Sequence, residues 1–178
     1  MLGLDRSIVE VVDYDPSWKN EFEKEAKRLS EPLKEYAIEI RHVGSTSIVG
    51  LPAKPIIDIA VVVKDESAML ACMEILKECG YEVKNKIEEK GEIFGKLLHD
   101  GVYTHNMHVE IYGSENWDNH VLFQRYLNEH PEYIKQYAEL KINNAKLYRN
   151  ERKKYTLAKD AFVKNVLALA KKEYKNQK

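Results

Sequence analysis

Arg41-His42-Val43-Gly44-Ser45-Thr46-Ser47, followed at residues 56–63 by Ile-Ile-Asp-Ile-Ala-Val-Val-Val, decides how this 178-residue chain folds. Residues 37–43 alternate apolar and polar side chains (Ile38, Ile40), the period-2 pattern of a strand. Residues 44–55 contain Gly44, Gly50, Pro52 and Pro55 and read as a loop or single turn. Residues 56–63 are the most apolar run of the chain. Such a run reads as a strand covered on both faces, and Asp58 is its one charge.

Outward from this centre the pattern is mixed. Residues 7–12 are β-rich and predict a short strand. Asp15 as N-cap and Pro16 at the first position open a helix in which Trp18, Phe22, Ala26 and Leu29 recur at helical spacing as far as Leu33, with Pro32 near its end. On the other side, Met69, Leu70, Met73 and Leu76 predict a helix over 64–79, stopped by Gly80. Residues 81–94 are ambiguous, and 91–98 and 102–112 predict a strand pair joined at Asp100-Gly101. From Ser114 three helices are expected. Trp117, Val121, Leu122 and Tyr126 mark the first, which Pro131 ends. Tyr133, Tyr137 and Leu140 mark the second, and Tyr155, Ala158, Phe162, Val166 and Leu169 the third. The expectation is one domain over 1–178: a mixed α/β core (1–113) with a helical C-terminal part (114–178) packed on it.

Composition narrows the function classes. Hydrophobic residues make up 44% and charged residues 32%, enough to build a core without disulfides or a structural metal. The net charge of −1 excludes a uniformly basic nucleic-acid coat. Charge is nevertheless uneven: residues 131–178 carry 13 Lys/Arg against 5 Asp/Glu, and the rest 15 against 24. A basic C-terminal third can meet phosphates, or can be a solvated helix face complementing an acidic first part. Cys72 and Cys79 are two helical turns apart, too far for a disulfide within one helix, and no CxxC occurs. No apolar run reaches the ~18 residues of a membrane span, and the first residues lack an apolar signal core. A cytoplasmic location with no membrane contact is expected.

Chemistry concentrates in three places. The Gly44-Ser45-Thr46-Ser47 turn can cradle an anion with backbone N–H groups and three hydroxyls, with His42 and Lys54 nearby. It is neither a Walker loop, since Leu51 stands where Lys is needed, nor a GxGxxG. An ordinary polar turn is the competing reading. Asp58 is costly inside an apolar strand unless it is paired. It either accepts hydrogen bonds from the turn or ligates a divalent metal. In a strand over 105–111, alternation sends Asn106, His108 and Glu110 one way and His105, Met107, Val109 and Ile111 the other. Asp58 and Glu110 on one face would suit Mg²⁺, with His108 as acid/base or extra ligand. There is no GxSxG and no zinc spacing.

The stretch from His42 to Ile59 closely resembles the signature of the GrpB family, small bacterial proteins, some of them fused to dephospho-CoA kinase. The resemblance extends over almost the whole chain: Tyr14-Asp15-Pro16 with Trp18 and Phe22; Met107-His108-Val109 with Gly113-Ser114 and Trp117; Phe123, Tyr126-Leu127, His130-Pro131, Tyr137, Leu140-Lys141, and Tyr155-Thr156 with Lys159 and Phe162. It implies a nucleotidyltransferase-like, polymerase-β-like fold with a C-terminal helical extension. In that fold a Gly-Ser turn precedes an Asp-x-Asp/Glu strand, and a later strand carries a third carboxylate. Gly44-Ser45 matches the turn and Asp58 the first carboxylate, and Glu110 stands as the third by position. Ala60 stands where the second carboxylate belongs, and Val49 replaces a proline usual in the loop.

Two-metal phosphoryl transfer needs ligands for both ions, so Ala60 weighs against catalysis by that route. Three functions follow as expectations. The first is a protein that binds a nucleotide or other phosphorylated small molecule. The second is a Mg²⁺-dependent nucleotidyl or phosphoryl transferase using Asp58, Glu110 and His108. The third is a non-catalytic RNA- or protein-binding module using the basic C-terminal helices.

Overall fold

The computed structural model describes residues 2–174. Along the chain run α1 (Ser17–Leu33), β1 (Ala37–Val43), a 3₁₀ turn (Ser45–Ser47), β2 (Ile57–Val63), α2 (Glu66–Glu78), β3 (Tyr81–Lys86), the short α3 (Ile87–Lys90), β4 (Glu92–His99), β5 (Val102–Ile111), and then α4 (Glu115–Glu129), α5 (Pro131–Leu147), α6 (Arg152–Leu157) and α7 (Asp160–Tyr174). The sheet order is β1-β2-β5-β4-β3. β2 and β5 are parallel neighbours, and the remaining pairs are antiparallel.

β2 is continuously apolar because it is covered twice. Ile57, Ile59, Val61 and Val63 face α1 and α2, where they meet Trp18, Leu29, Leu33, Met69, Cys72 and Leu76. Each is fully buried, worth roughly 1.5–3 kcal/mol relative to exposure. The alternate residues Ala60 and Val62 face the other way and join Val43 beneath Trp117 of α4. A separate apolar cluster ties Ile48 and Leu51, from the loop after β1, to Tyr126, Leu127, Tyr137, Val166 and Ala170. The C-terminal helices are thus joined to the sheet through Trp117 and to the loop through Ile48 and Leu51.

Local chemistry sets the boundaries. Asp15 Oδ1 accepts the Ser17 N–H at 2.9 Å, so it caps α1 from one residue outside the expected position. Pro32 is tolerated in the last turn before Leu33. Asp65 Oδ1 caps α2 through Ala68 N–H at 2.9 Å, and Ser114 Oγ caps α4 through Trp117 N–H at 3.3 Å. Asp100 (φ 48°) and Gly101 (φ 81°) form the two-residue turn of β4–β5 as expected. The ambiguous residues 81–94 resolve into β3, α3 and the start of β4.

Two expectations are corrected. Residues 7–12 are not a strand of the sheet: the segment is held by the single bridge Val12–Ala53 and by Val9 N–H to Arg149 O at 2.7 Å. Pro52 and Pro55 flank Ala53 and lack the N–H groups a longer ladder would need. The third C-terminal helix is two, α6 and α7, interrupted at Ala158-Lys159. At this interruption the buried Asn144 side-chain amide donates to the Ala158 carbonyl at 3.5 Å.

Candidate functional site

Asp58 points into a cleft between the sheet and the C-terminal helices. Asn106, level with it on β5, donates its amide to Asp58 Oδ1 at 2.7 Å. His108 Nε2 lies 3.8 Å from the same oxygen, and His108 Nδ1 lies 2.8 Å from Glu92 Oε2. The expected hydrogen bonds from the Gly44–Ser47 turn to Asp58 are therefore replaced by these neighbours. The turn meets Asp58 by close packing instead. Gly44 has φ +69°, and a Cβ there would stand 2.5 Å from Asp58 Oδ2. Burial disfavours charge on both Asp58 and His108. Their mutual attraction outweighs it, with Asn106 on one side and Glu92 on the other, so the Asp58 pKa is held down and that of His108 is raised.

The loop residues divide. His42 lies on the opposite face of the sheet, level with Ile59, stacked on Phe22 at 4.9 Å and 12°. Burial lowers its pKa to about 4, so it is neutral near pH 7. Its Nε2 is 2.9 Å from the buried Thr46 Oγ1, and Ser47 Oγ donates to Gly44 O at 2.7 Å. His42, Thr46 and Ser47 brace the turn. Gly44 and Ser45 line the cleft.

Behind Ser45 is a pocket of about 180 Å³, lined by Thr46, Lys54, Asp58, Asn106, Lys141, Tyr155, Thr156 and Lys159. The amines of three lysines converge here. Lys54 and Lys159 lie over the Tyr155 ring at 5.5 Å and 4.6 Å. Lys141, 1% exposed, lies 5.1 Å from the centre of the Tyr137 ring. Burial, then the positive charges of Arg152 and Lys159, bring the Lys54 pKa to about 7. Burial pushes Lys141 well below its ordinary value, and Lys159 down as well. Among the described residues, neither Lys141 Nζ nor the Tyr155 hydroxyl has a hydrogen-bond partner. Lys54 belonged to the expected set. Lys141, Tyr155 and Lys159 enter through α5, α6 and the break before α7, and only their place in the GrpB resemblance singled them out. Helical periodicity had assigned Tyr155 to a core stripe.

The cleft widens to about 600 Å³ toward Glu92, His108, Glu110 and His120. His108 and Glu110 do share the sheet face of Asp58. Glu110, however, is level with Val62 on β2, and His108 is level with Ala60. Four residues of strand, roughly 13 Å, separate the Asp58 and Glu110 backbones. The oxygen pair expected to hold Mg²⁺ is not drawn together. Glu110, fully buried, instead meets His120 of α4, with Oε2 3.2 Å from His120 Nδ1. Local patterning carried no signal for His120, and Glu92 lay in the ambiguous segment.

The comparisons agree with this architecture. The Glutamate-rich protein GrpB of Alkalihalophilus pseudofirmus is 37% identical over 171 residues, covering 94% of this chain and 98% of that one. The crystal structure of conserved protein GrpB from Enterococcus faecalis matches with a TM-score of 0.84 and 32% identity, over 93% of this chain and 99% of that one. Cid1, in complex with the UTP analog UMPNPP, matches with a TM-score of 0.50 and 16% identity, over 74% of this chain and 40% of that one, a likeness of fold alone and of the nucleotidyltransferase type. The sequence pattern of the GrpB protein family matches residues 8–169, and this chain belongs to that family.

Proposed function

We propose that this protein binds a nucleotide or another phosphate-bearing metabolite, seating the phosphates among Lys54, Lys141, Lys159 and Ser45, and that it binds such ligands more readily than it turns them over. The observation that carries this reading is Lys141: an amine 1% exposed, without a hydrogen-bond partner among the described residues, lining a pocket with two further lysines. Burial disfavours the charged form of this amine, and an anion that enters the pocket favours the ammonium and pairs with it. The fold likeness to Cid1 adds a chemical precedent for a nucleotide in such a cleft.

A nucleotide brings its own Mg²⁺, and Asp58 is the carboxylate lining the phosphate pocket that can meet it. Asn106 and His108 stand beside Asp58, and Ala60 offers no oxygen. In-line transfer needs compensation of charge on both attacking and leaving oxygens, commonly by a second ion, and one carboxylate supplies half of that arrangement. Part of the basic C-terminal charge, Lys141 and Lys159, turns inward onto this pocket, which favours a small anion over RNA laid along the helix surface.

The test pairs calorimetric titration of nucleoside triphosphates and coenzyme-type phosphates with a pyrophosphate-release assay on wild type, Lys141→Met and Asp58→Ala. Binding is expected in wild type and lost, by 100-fold or more, in Lys141→Met. The same substitution is expected to raise the stability of the ligand-free protein by about 1–2 kcal/mol, because it removes a buried unpaired polar group. Efficient turnover abolished by Asp58→Ala would show that the protein is a transferase. No binding by a folded wild type would remove the reading.

A further inference from the structure

We propose that His108, Glu110 and His120 form a binding site for a divalent cation of the zinc class, distinct from the phosphate pocket. One ligand atom from each of the three residues lies within 4.8 Å of the other two. His108 and Glu110 stand two residues apart on β5 and so face the same way, while His120 descends on them from α4. A tetrahedral ion with bonds of about 2.0–2.2 Å needs its donors ~3.3–3.6 Å apart. A small side-chain adjustment of the half-exposed His120 closes the set.

Glu110 supplies the second, independent observation. It is fully buried, and its Oε1 has no hydrogen-bond partner among the described residues. His120 at 3.2 Å satisfies only the other oxygen. An orphaned carboxylate oxygen is costly, and a cation at this point would satisfy it. Two imidazoles with one carboxylate match zinc, cobalt, nickel or ferrous ion, whereas Mg²⁺ takes six oxygens in near-octahedral array. Glu92, 2.8 Å from His108 Nδ1, is placed as the carboxylate that steadies this ring, leaving Nε2, 3.8 Å from Asp58 Oδ1, as the ligating atom, which gives up its proton to solvent when the ion binds. The wide part of the cleft leaves the remaining coordination positions open to water or ligand.

The experiment uses the full chain stripped with a chelator and titrated with the metal alone, so its outcome does not depend on nucleotide binding. One equivalent of Co²⁺ is expected to bind with visible ligand-field absorption, to be displaced by Zn²⁺, and to resist a large excess of Mg²⁺. Glu110→Gln and His120→Gln should each weaken Co²⁺ binding by at least 100-fold, and Glu92→Gln by about 10–100-fold. His120 lies on the flank of α4, so His120→Gln tests the site even where Glu110→Gln disturbs the core. Wild-type protein that is folded by circular dichroism and binds neither Co²⁺ nor Zn²⁺ would overturn the site. Binding that survives unchanged in both variants would overturn it equally.

Discussion

Gly44 shows how one residue couples the loop to the site. Its backbone, φ 69° and ψ −167°, lies in a region essentially confined to glycine and costs a Cβ-bearing residue about 1–3 kcal/mol. The added carbon would also press on Asp58 Oδ2. Gly44→Ala is therefore expected to lower stability in urea denaturation by at least that amount and to weaken anion binding. An unchanged denaturation midpoint would mean that the loop yields freely. Lys54 gives a pH prediction. Its folded pKa, about 7, lies below the ordinary value of 10.5. Between these limits the unfolded chain holds more protons, so Lys54 makes the ligand-free protein gain stability as pH rises from about 7 toward 10.5. A bound phosphate favours the ammonium and raises that pKa. Binding should then take up a proton above pH 7, and affinity should fall as pH rises. Calorimetry in buffers of different ionisation enthalpy measures the uptake; none at pH 8 would place Lys54 outside the contact.

At the scale of elements, the break between α6 and α7 is the feature that aims Thr156 and Lys159 into the cleft. The Asn144 side-chain amide donates to the Ala158 carbonyl at that break. Asn144→Ala should cost about 1–3 kcal/mol for the carbonyl left behind. It should also reduce phosphate affinity without touching any ligand directly. Equal affinity in the two proteins would detach the break from binding. The strand pair β2–β5 acts in the same way at shorter range, since its parallel register sets Asn106 level with Asp58 and His108 level with Ala60. Where the fold pattern calls for a second carboxylate, this chain thus offers an imidazole from the neighbouring strand.

Across the whole molecule, the sheet and the C-terminal helices share an interior. Val43, Ala60 and Val62 form a cluster with Trp117, and Ile48 and Leu51 sit among the helical aromatics. Without the helices, one face of β2 would lose its cover. Trp117→Ala should cost about 3–5 kcal/mol in thermal or urea denaturation. Limited proteolysis is expected not to yield a stable 1–113 fragment; recovery of a folded one would mean that the helices are a separate module.

Much of this was legible in the sequence, because strand alternation, capping residues and turn residues act over a few positions. They marked β1, the turn, β2, α2 and the β4–β5 hairpin, and they put His108 and Glu110 on one face of their strand, which the family resemblance matched to the face of Asp58. The family resemblance supplied the nucleotidyltransferase-type fold. Tertiary structure decided the rest. Residues 7–12 have strand composition, but their partner segment carries two prolines and cannot extend a ladder. Lys141 follows Tyr137 by one helical turn and so shares its face, but that this face is buried against α6 and α7 with Lys54 and Lys159 beside it is set by the packing of distant segments. The strand register that sets Glu110 four residues beyond Asp58, and the packing of α4 that brings His120 to it, depend on contacts between distant segments, which local periodicity does not encode.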